Sequence, residues 1–280
     1  YDFIRDPRGH GWHIDRSSFE ACLTERARQS GADWRLTSGS VGLGEKSGRW
    51  ELCLNGENHL FTRVVIDATG RAASFARRQG ERRLHADRQV AWVTFLHSDD
   101  SPPVDTTTWI ESVEYGWWYS AIIPSGRMVT VLFSDADVLN TIAPPTVNGW
   151  SRLINSTIHI SRRATIGGYR SVAPPRLVAA GSGRLSRFVG QGWFAAGDAA
   201  IAYDPISGHG LTVALQSGRD AALAAAELLN GDATAPMRYQ SVLTTAYERY
   251  AEMRRMYYWL EGRWPSAPYW RRRREQQQGA

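Results

Sequence analysis

Cysteine is almost missing from this 280-residue chain, where Cys22 and Cys53 are the only two. That scarcity excludes a disulfide-built scaffold and a four-cysteine zinc site. Two thiols at unrelated spacing read as reduced, buried and structural. Lysine is scarcer still, since Lys46 is the only one among 33 basic residues. No stretch approaches the ~18 consecutive apolar residues of a membrane-spanning helix, so no membrane span is expected. The chain opens on Tyr1 with no signal-like or transit-like segment, and the expected location is cytoplasmic. The seven histidines (His10, His13, His59, His85, His97, His159 and His209) show no paired-ligand spacing. No metal is expected, and His10 and His13 read as structural residues without partners.

What remains is ordinary globular text, 42% hydrophobic and 22% charged, enough for one large domain or two intimate ones. Twelve tryptophans are many for this length and either pack large areas or line aromatic sites. The net charge of +5 sits mostly at the end, where eight arginines and four glutamates between Glu248 and Glu275 give +4. A nucleic-acid footprint would spread over a face, so no nucleic acid is expected, and Arg271–Arg274 reads as a solvated tail, with contact to an anionic partner the lesser alternative.

Periodicity sets the organisation. Ser17 with Glu20 forms a capping box for a helix carrying Phe19 and Leu23 and stopping at Gly31. Residues 33–36, 39–43 and 49–54 carry strand-like text. Asn55-Gly56 predicts a hairpin returning through His59–Ile66, whose run Val64-Val65-Ile66 closes on Asp67-Ala68-Thr69-Gly70. Val90–Leu96, Thr107–Val113, Trp117–Ile123 and Met128–Phe133 predict an antiparallel meander, followed by a short helix near Val147–Ile154. Gly192–Asp198 predicts a strand, and Gly208–Leu229 a helix with Leu211, Leu215, Gly218, Ala222 and Ala225 on its inner face, capped by Asn230-Gly231. A last helix repeats Tyr239, Leu243, Ala246, Tyr250, Met253, Tyr257 and Leu260 in steps of four and three. Such a seam suits a coiled coil or packing onto its own domain.

The strongest chemical signal runs from Gly197-Asp198-Ala199-Ala200 to Pro205-Ile206-Ser207-Gly208-His209-Gly210-Leu211-Thr212. A strand ends, a carboxylate follows, and a glycine-broken loop enters a long helix. Glycines let backbone N–H groups approach a ligand, and a helix start offers partial positive charge to an anion. Asp198 suits the hydroxyls of a polyol. A tight strand-to-helix connection with an incidental carboxylate fits the same residues. His209 reads as a loop histidine or as a protonatable group tuning the site.

This GDAAxxxDPxSGxGLxxAL run resembles the ribityl-binding motif of the FAD-dependent aromatic hydroxylase superfamily, the p-hydroxybenzoate hydroxylase fold. Within it, the chain is most similar to the branch of tryptophan halogenases and related monooxygenases. Three further segments support the resemblance: Val64–Arg71 with Ser74 and Arg77, Asp15-Arg16-Ser17-Ser18-Phe19, and Gly116-Trp117-Trp118-Tyr119 with Ile122-Ile123-Pro124. The ending Arg263-Trp264-Pro265 through Arg273 also looks like that branch.

The resemblance implies an α/β fold, a Rossmann-like FAD-binding domain with an inserted, mostly antiparallel β substrate domain and C-terminal helices. It implies FAD as cofactor, with Asp198 on the ribityl chain and Leu211 and Thr212 offering backbone N–H groups to the pyrimidine end of the flavin. Pro205, Gly208 and Gly210 shape that loop, Arg16 reaches the pyrophosphate, and Val41 gives a backbone contact on the adenine side; on its own, Arg16 also reads as an exposed first-turn arginine. Thr69 and Gly70 lie at the turn where nicotinamide-using hydroxylases carry aspartate; Thr69 in that place implies a separate flavin reductase. The implied domains are 1–80 (partial FAD-binding), 81–175 (substrate sheet), 176–235 (FAD-binding continued) and 236–280 (helical, basic tail). The fold's opening GxGxxG segment has no counterpart here, because Gly39–Gly44 has the wrong spacing. The chain is therefore expected to be the C-terminal part of a longer flavoprotein. The implied reaction is hydroxylation of an aromatic or amino-acid-like substrate through a flavin C4a-hydroperoxide, with no protein side chain named as catalytic. Halogenation, saturation of an isoprenoid double bond, and maturation of a client peptide or protein are the alternatives. The Trp117-Trp118 pair either stacks an aromatic substrate or packs the core.

Overall fold

The computed structural model describes residues 11–36, 42–46, 49–54, 58–99, 107–142 and 146–275. It is a mixed α/β architecture with antiparallel sheets and C-terminal helices. Contacts divide the chain into two compact units, one of Tyr1–Arg35, Val90–Ala179 and Glu261–Arg272, the other of Leu36–Gln89, Ala180–Leu260 and Arg273–Ala280. No helix among the described residues is long and apolar enough to cross a membrane.

The first unit is built on a six-stranded sheet. Strands Trp109–Val113, Gly116–Ile122 and Met128–Asp135 form an antiparallel meander, as their alternation predicts. Strand Gln89–His97 lies beside Met128–Asp135 and not beside Trp109–Val113, which corrects the four-strand meander. The link through residues 98–108 is too long for a tight hairpin, so nothing local forces that pairing. Helices Val147–Asn155 and His159–Ile166 cover one face. Their core is aromatic, with Trp118 4.7 Å and Trp92 6.4 Å from the Trp150 ring. Fully burying side chains of this size stabilises the unit by roughly 1.5–3 kcal/mol each.

Helix Arg16–Gln29 starts at Asp15, whose carboxylate accepts from the Ser18 amide at 3.0 Å. Asp15, and not Ser17, is therefore the cap: its extended backbone and short acceptor place the oxygen over the third amide. His13 has partners after all, its Nδ1–H donating to the Ile122 carbonyl at 2.8 Å and Nε2 accepting from Thr108 Oγ1 at 2.9 Å. Residues 32–36 form no strand.

The second unit contains a hairpin, Arg49–Leu54 with Asn58–Thr62, extended by Gly42–Lys46. The predicted Asn55-Gly56 turn, Gly39-Ser40 and His10 lie outside the described residues. Strand Val65–Asp67 pairs in parallel with Trp193–Ala195, a pairing no hairpin can make. Helix Gly210–Leu229 buries Ser217, Ala221, Ala224 and Ala225, whereas Leu215 and Ala222 of the expected face are exposed. Small side chains win the inner face because the helix approaches closely: a Cβ added at Gly197 would stand 3.4 Å from that of Ala214.

The long helix Ala235–Leu260 buries Tyr239, Leu243 and Tyr250 as the seam predicts, and then Arg254 and Tyr258 in place of Met253, Tyr257 and Leu260. A seam of 3.5-residue period drifts around a straight helix of 3.6 residues per turn, so the inner line moves on by one position. Two other readings are corrected. Cys22 is exposed and Cys53 half-buried, both free. The arginine run is the helix Pro268–Glu275. In it Arg272 pairs with Asp135 at 2.9 Å and Asp137 at 2.5 Å, while buried Arg273 lies over the Tyr258 ring. Protein partners at Arg272 and burial at Arg273 hold part of that charge, while Arg271 stays exposed.

Candidate functional site

Strand Trp193–Ala195 delivers the chain to Gly197, whose φ of +59° turns it into the short 3-10 turn Gly197–Ala199. A side chain would be strained in that left-handed region, so glycine is required. The Gly197 amide donates to Ser217 Oγ at 2.9 Å, tying the turn to the helix behind it. Asp198 then projects outward, its side chain 37% exposed, with Arg71 Nε at 3.4 Å. Arg83 grips the same turn from below, donating to the Asp198 carbonyl at 2.8 Å and the Ala199 carbonyl at 3.0 Å. Burial, with Arg71 close by, holds the Arg83 guanidinium below its ordinary pKa, and Asp198 partly offsets this. The Asp198 carboxylate is thus an acceptor whose charge is already countered, suited to neutral hydroxyls.

The following loop is held from behind by charge. Asp204 is fully buried: Oδ1 accepts from the Ile206 amide at 3.1 Å, and Oδ2 from Arg254 Nε at 3.0 Å and Tyr258 Oη at 2.9 Å. The Asp204 amide donates to Tyr250 Oη at 2.6 Å. Arg254 also donates to Asp87 Oδ2 at 2.6 Å, and Asp87 in turn receives the Gln89 amide and the Ser182 hydroxyl. Burial opposes the Arg254 charge, but Asp204 and Asp87 override it and raise its pKa. Burial, with Asp204 adding to it, raises the Tyr250 phenol, so it stays a neutral hydroxyl.

In front of this bracket the loop is open. Pro205–Ser207 forms a 3-10 turn that Gly208 ends at φ +65°, and helix Gly210–Leu229 begins with no side chain capping it. A Cβ added at Gly208 or Gly210 would meet no protein atom within 4 Å. Leu211 is half-buried and Thr212 exposed, and the exposed His209 precedes the first turn without capping it. Uncapped first-turn amides together with the helix dipole favour an electronegative ligand group. Pro205, Gly208, Gly210, Leu211 and Thr212 therefore form one segment, one short strand downstream of Asp198, an open glycine cradle with room for the edge of a planar, electronegative ligand.

The other predicted residues have different placements. Thr69 donates from its amide and hydroxyl to Asp67 Oδ1 at 2.9 and 2.6 Å, and Gly70 turns at φ +66°. Asp67, buried, also accepts the Phe75 and Ala76 amides at 3.0 and 2.9 Å, so it organises this turn. Arg16 belongs to the other unit and pairs with Glu20 at 2.5 Å on an exposed helix surface. Val41 lies outside the described residues. Trp117 and Trp118 are both buried, Trp117 stacked on Phe133 at 4.1 Å and Trp118 in the aromatic core, so the pair packs the interior.

Residues that sequence reasoning missed are Asp87, Arg254 and the role of Asp204. Asp204 stood inside the glycine-loop motif, and Arg254 stands four residues from both Tyr250 and Tyr258 on the helix's inner line. Its spacing was a readable signal; its partner Asp87, 167 residues away, was not. No group of three or more histidine, cysteine, aspartate or glutamate side chains among the described residues is arranged to hold a metal.

A family model described as tryptophan halogenase matches residues 5–280. LodB of Marinomonas mediterranea, named as a FAD-dependent oxidoreductase, is 25% identical over 271 residues, covering 95% of this chain and 72% of LodB. The flavin-dependent halogenase CmlS superposes with a TM-score of 0.81 at 22% identity, over 97% of this chain and 52% of that one. The peptidyl tryptophan dihydroxylase QhpG superposes with a TM-score of 0.72 at 23% identity, over 92% of this chain and 58% of its own. The chain thus spans about half the length of these two structures, and the likeness to them is one of fold.

Proposed function

The chain belongs to the tryptophan halogenase family, and from that premise we propose that it forms part of a FAD-dependent monooxygenase acting on an aromatic or amino-acid-like substrate. The observation carrying this reading is the open glycine cradle at the uncapped start of Gly210–Leu229, with Asp198 at the preceding turn. When bound, FAD supplies two-electron chemistry with dioxygen. Asp198 accepts hydrogen bonds from the ribityl hydroxyls, and Arg71 and Arg83 keep that carboxylate and its turn in place. The Leu211 and Thr212 amides, at the positive end of the helix, stabilise negative charge on the pyrimidine ring without any side chain. Pro205 and Gly208 set the loop's path, and the Asp87–Arg254–Asp204 bracket fixes it. Arg16, Val41, Thr69 and Gly70 are proposed at the remaining FAD contacts, and a separate flavin reductase as the source of electrons.

QhpG acts on peptidyl tryptophan, which supports a peptide or protein-borne aromatic residue as substrate. Halogenation is the second reading, favoured by the family model and by the fold of CmlS. One experiment separates the two. The natural polypeptide carrying this chain is loaded with FAD, reduced anaerobically and mixed with dioxygen and a tryptophan-containing peptide, with and without bromide. Hydroxylation predicts a product gaining oxygen whether or not bromide is present. A product in which bromine replaces hydrogen, formed only with bromide, would establish halogenation instead. Failure to retain FAD would overturn both.

A further inference from the structure

We propose that the sheet unit carries a second small-molecule site, for a planar aromatic acid, in the cleft between helix His159–Ile166 and strands Trp109–Val113 and Gly116–Ile122. The cleft encloses about 360 Å³, within the range of small-ligand pockets. None of its lining residues belongs to the glycine loop or the Asp198 turn, so the proposal stands whether or not the flavin reading does.

Alternation along Gly116–Ile122 puts Trp118, Ser120 and Ile122 on one side of the sheet and Trp117 on the other. Trp109 pairs across from Ser120, so the cleft lies on the helix-covered side, opposite the Trp117–Phe133 stack. Its wall is aromatic: the Trp109 and His159 rings stack 5.5 Å apart at 25°. Ile122, Ile166 and Tyr169 supply the apolar remainder.

The cleft is also rigid before any ligand arrives. Buried Glu111 accepts the amides of Ile158, His159 and Ile160 at 2.6, 2.9 and 3.0 Å, locking the helix start onto the strand. Arg163 braces the same helix, donating to the Ser120 carbonyl at 3.0 Å and the Thr107 carbonyl at 2.8 Å. Tyr169 Oη donates to the Gly126 carbonyl at 3.0 Å. Two arginines therefore line the cleft in different roles. Arg163 is committed to the Ser120 and Thr107 carbonyls and the Ser120 hydroxyl, whereas the exposed Arg162 makes no side-chain hydrogen bond or ion pair among the described residues. A preformed aromatic slot with a free guanidinium at its edge selects a flat apolar body bearing a carboxylate, which that planar fork binds with two hydrogen bonds. Two guanidiniums exclude a cationic ligand.

The probe is 2-naphthoate, titrated by calorimetry into the purified protein, with neutral 2-naphthamide alongside. The expected result is saturable binding of naphthoate that weakens about fivefold in Arg162→Ala, a loss on the scale of one solvent-exposed ion pair. The amide should bind that much more weakly to the wild type and be indifferent to Arg162→Ala. Trp109→Ala should weaken both probes. No saturable binding of naphthoate, or a naphthoate affinity unchanged in both variants, would overturn the site. Equal binding of acid and amide to the wild type would overturn the acid as its ligand. Arg162 is exposed, so its loss does not endanger the fold.

Discussion

The sheet unit closes its interior with area, whereas the loop unit closes its most demanding point with charge. In the first, Trp92, Trp118 and Trp150 meet ring to ring under two helices, and the buried carboxylate Glu111 sits at the margin as a helix cap. In the second, Arg254 stands between Asp87 and Asp204 with almost no solvent contact. The difference follows from what each region must hold. A strand presents a side chain to the core at every second residue, so packing fixes most of it. A loop with glycines at 197, 208 and 210 has few side chains to bury, and its open front removes still more. Its backbone has to be gripped from behind by groups that reach it, and charged hydrogen bonds hold one geometry where apolar contact would allow several.

Arg254→Met breaks this comparison most directly. It leaves two carboxylates buried without their cation, a loss of about 3–5 kcal/mol that denaturant unfolding would register. FAD affinity should fall with it, because the loop loses its anchor. Adding Asp87→Asn and Asp204→Asn to Arg254→Met should recover much of the stability. A neutral Arg254→Met would show that packing, not charge, holds the loop.

Leu132→Ala tests the other side. Leu132 is fully buried beside Trp118 and Trp150, and truncating it should cost about 3 kcal/mol through lost contacts and a cavity. Protein that remains native should bind FAD as tightly as before. A fall in FAD affinity at Leu132→Ala matching that of Arg254→Met would erase the distinction between the regions.

The same contrast decides what could be read in advance. Strands 89–97, 109–113, 116–122 and 128–135 were legible because each alternates, and helix 210–229 because Asn230-Gly231 marks its end. The open glycine loop was legible as a motif, since its backbone needs leave few residue choices. Pairing across distance was not. The place of strand 89–97 beside 128–135, the parallel pairing of 65–67 with 193–195, and the Asp87–Arg254 contact all join residues that no local pattern connects. Charge was read least well of all. The Arg271–Arg274 run carries solvent-like text, yet Arg273 is buried, because the tertiary fold supplies the partners that make burial of an arginine tolerable.

Gly210→Ala sharpens the comparison from the ligand's side. At the first position of the helix, alanine should leave stability unchanged or raise it by about 0.5–1 kcal/mol. Its methyl enters space that holds no protein atom, so thermal stability and FAD affinity should move apart, with FAD binding weakened several-fold. Parallel changes in both would argue that the cradle is ordinary solvent-facing loop.

The smallest effect concerns a charge cluster in the sheet unit, where area should dominate. Glu261 accepts from Ser112 Oγ at 2.6 Å and from the Arg263 amide at 2.9 Å and Nε at 3.0 Å. Hydrogen bonding from Arg263, outweighing partial burial, pulls its pKa from 4.5 to about 2. A carboxylate held low in the folded state contributes stability that is complete above its ordinary pKa and is lost as pH falls towards the folded value. Wild-type stability should therefore carry an acid loss between roughly pH 4.5 and 2 that Glu261→Gln removes. Because Arg263 is 61% exposed, solvent screens the pair, and the loss should stay below about 1 kcal/mol. Denaturant midpoints measured at pH 5 and pH 3 would decide the matter. A difference between the two proteins as large as that of Arg254→Met would mean that the sheet unit, too, depends on charge for its integrity.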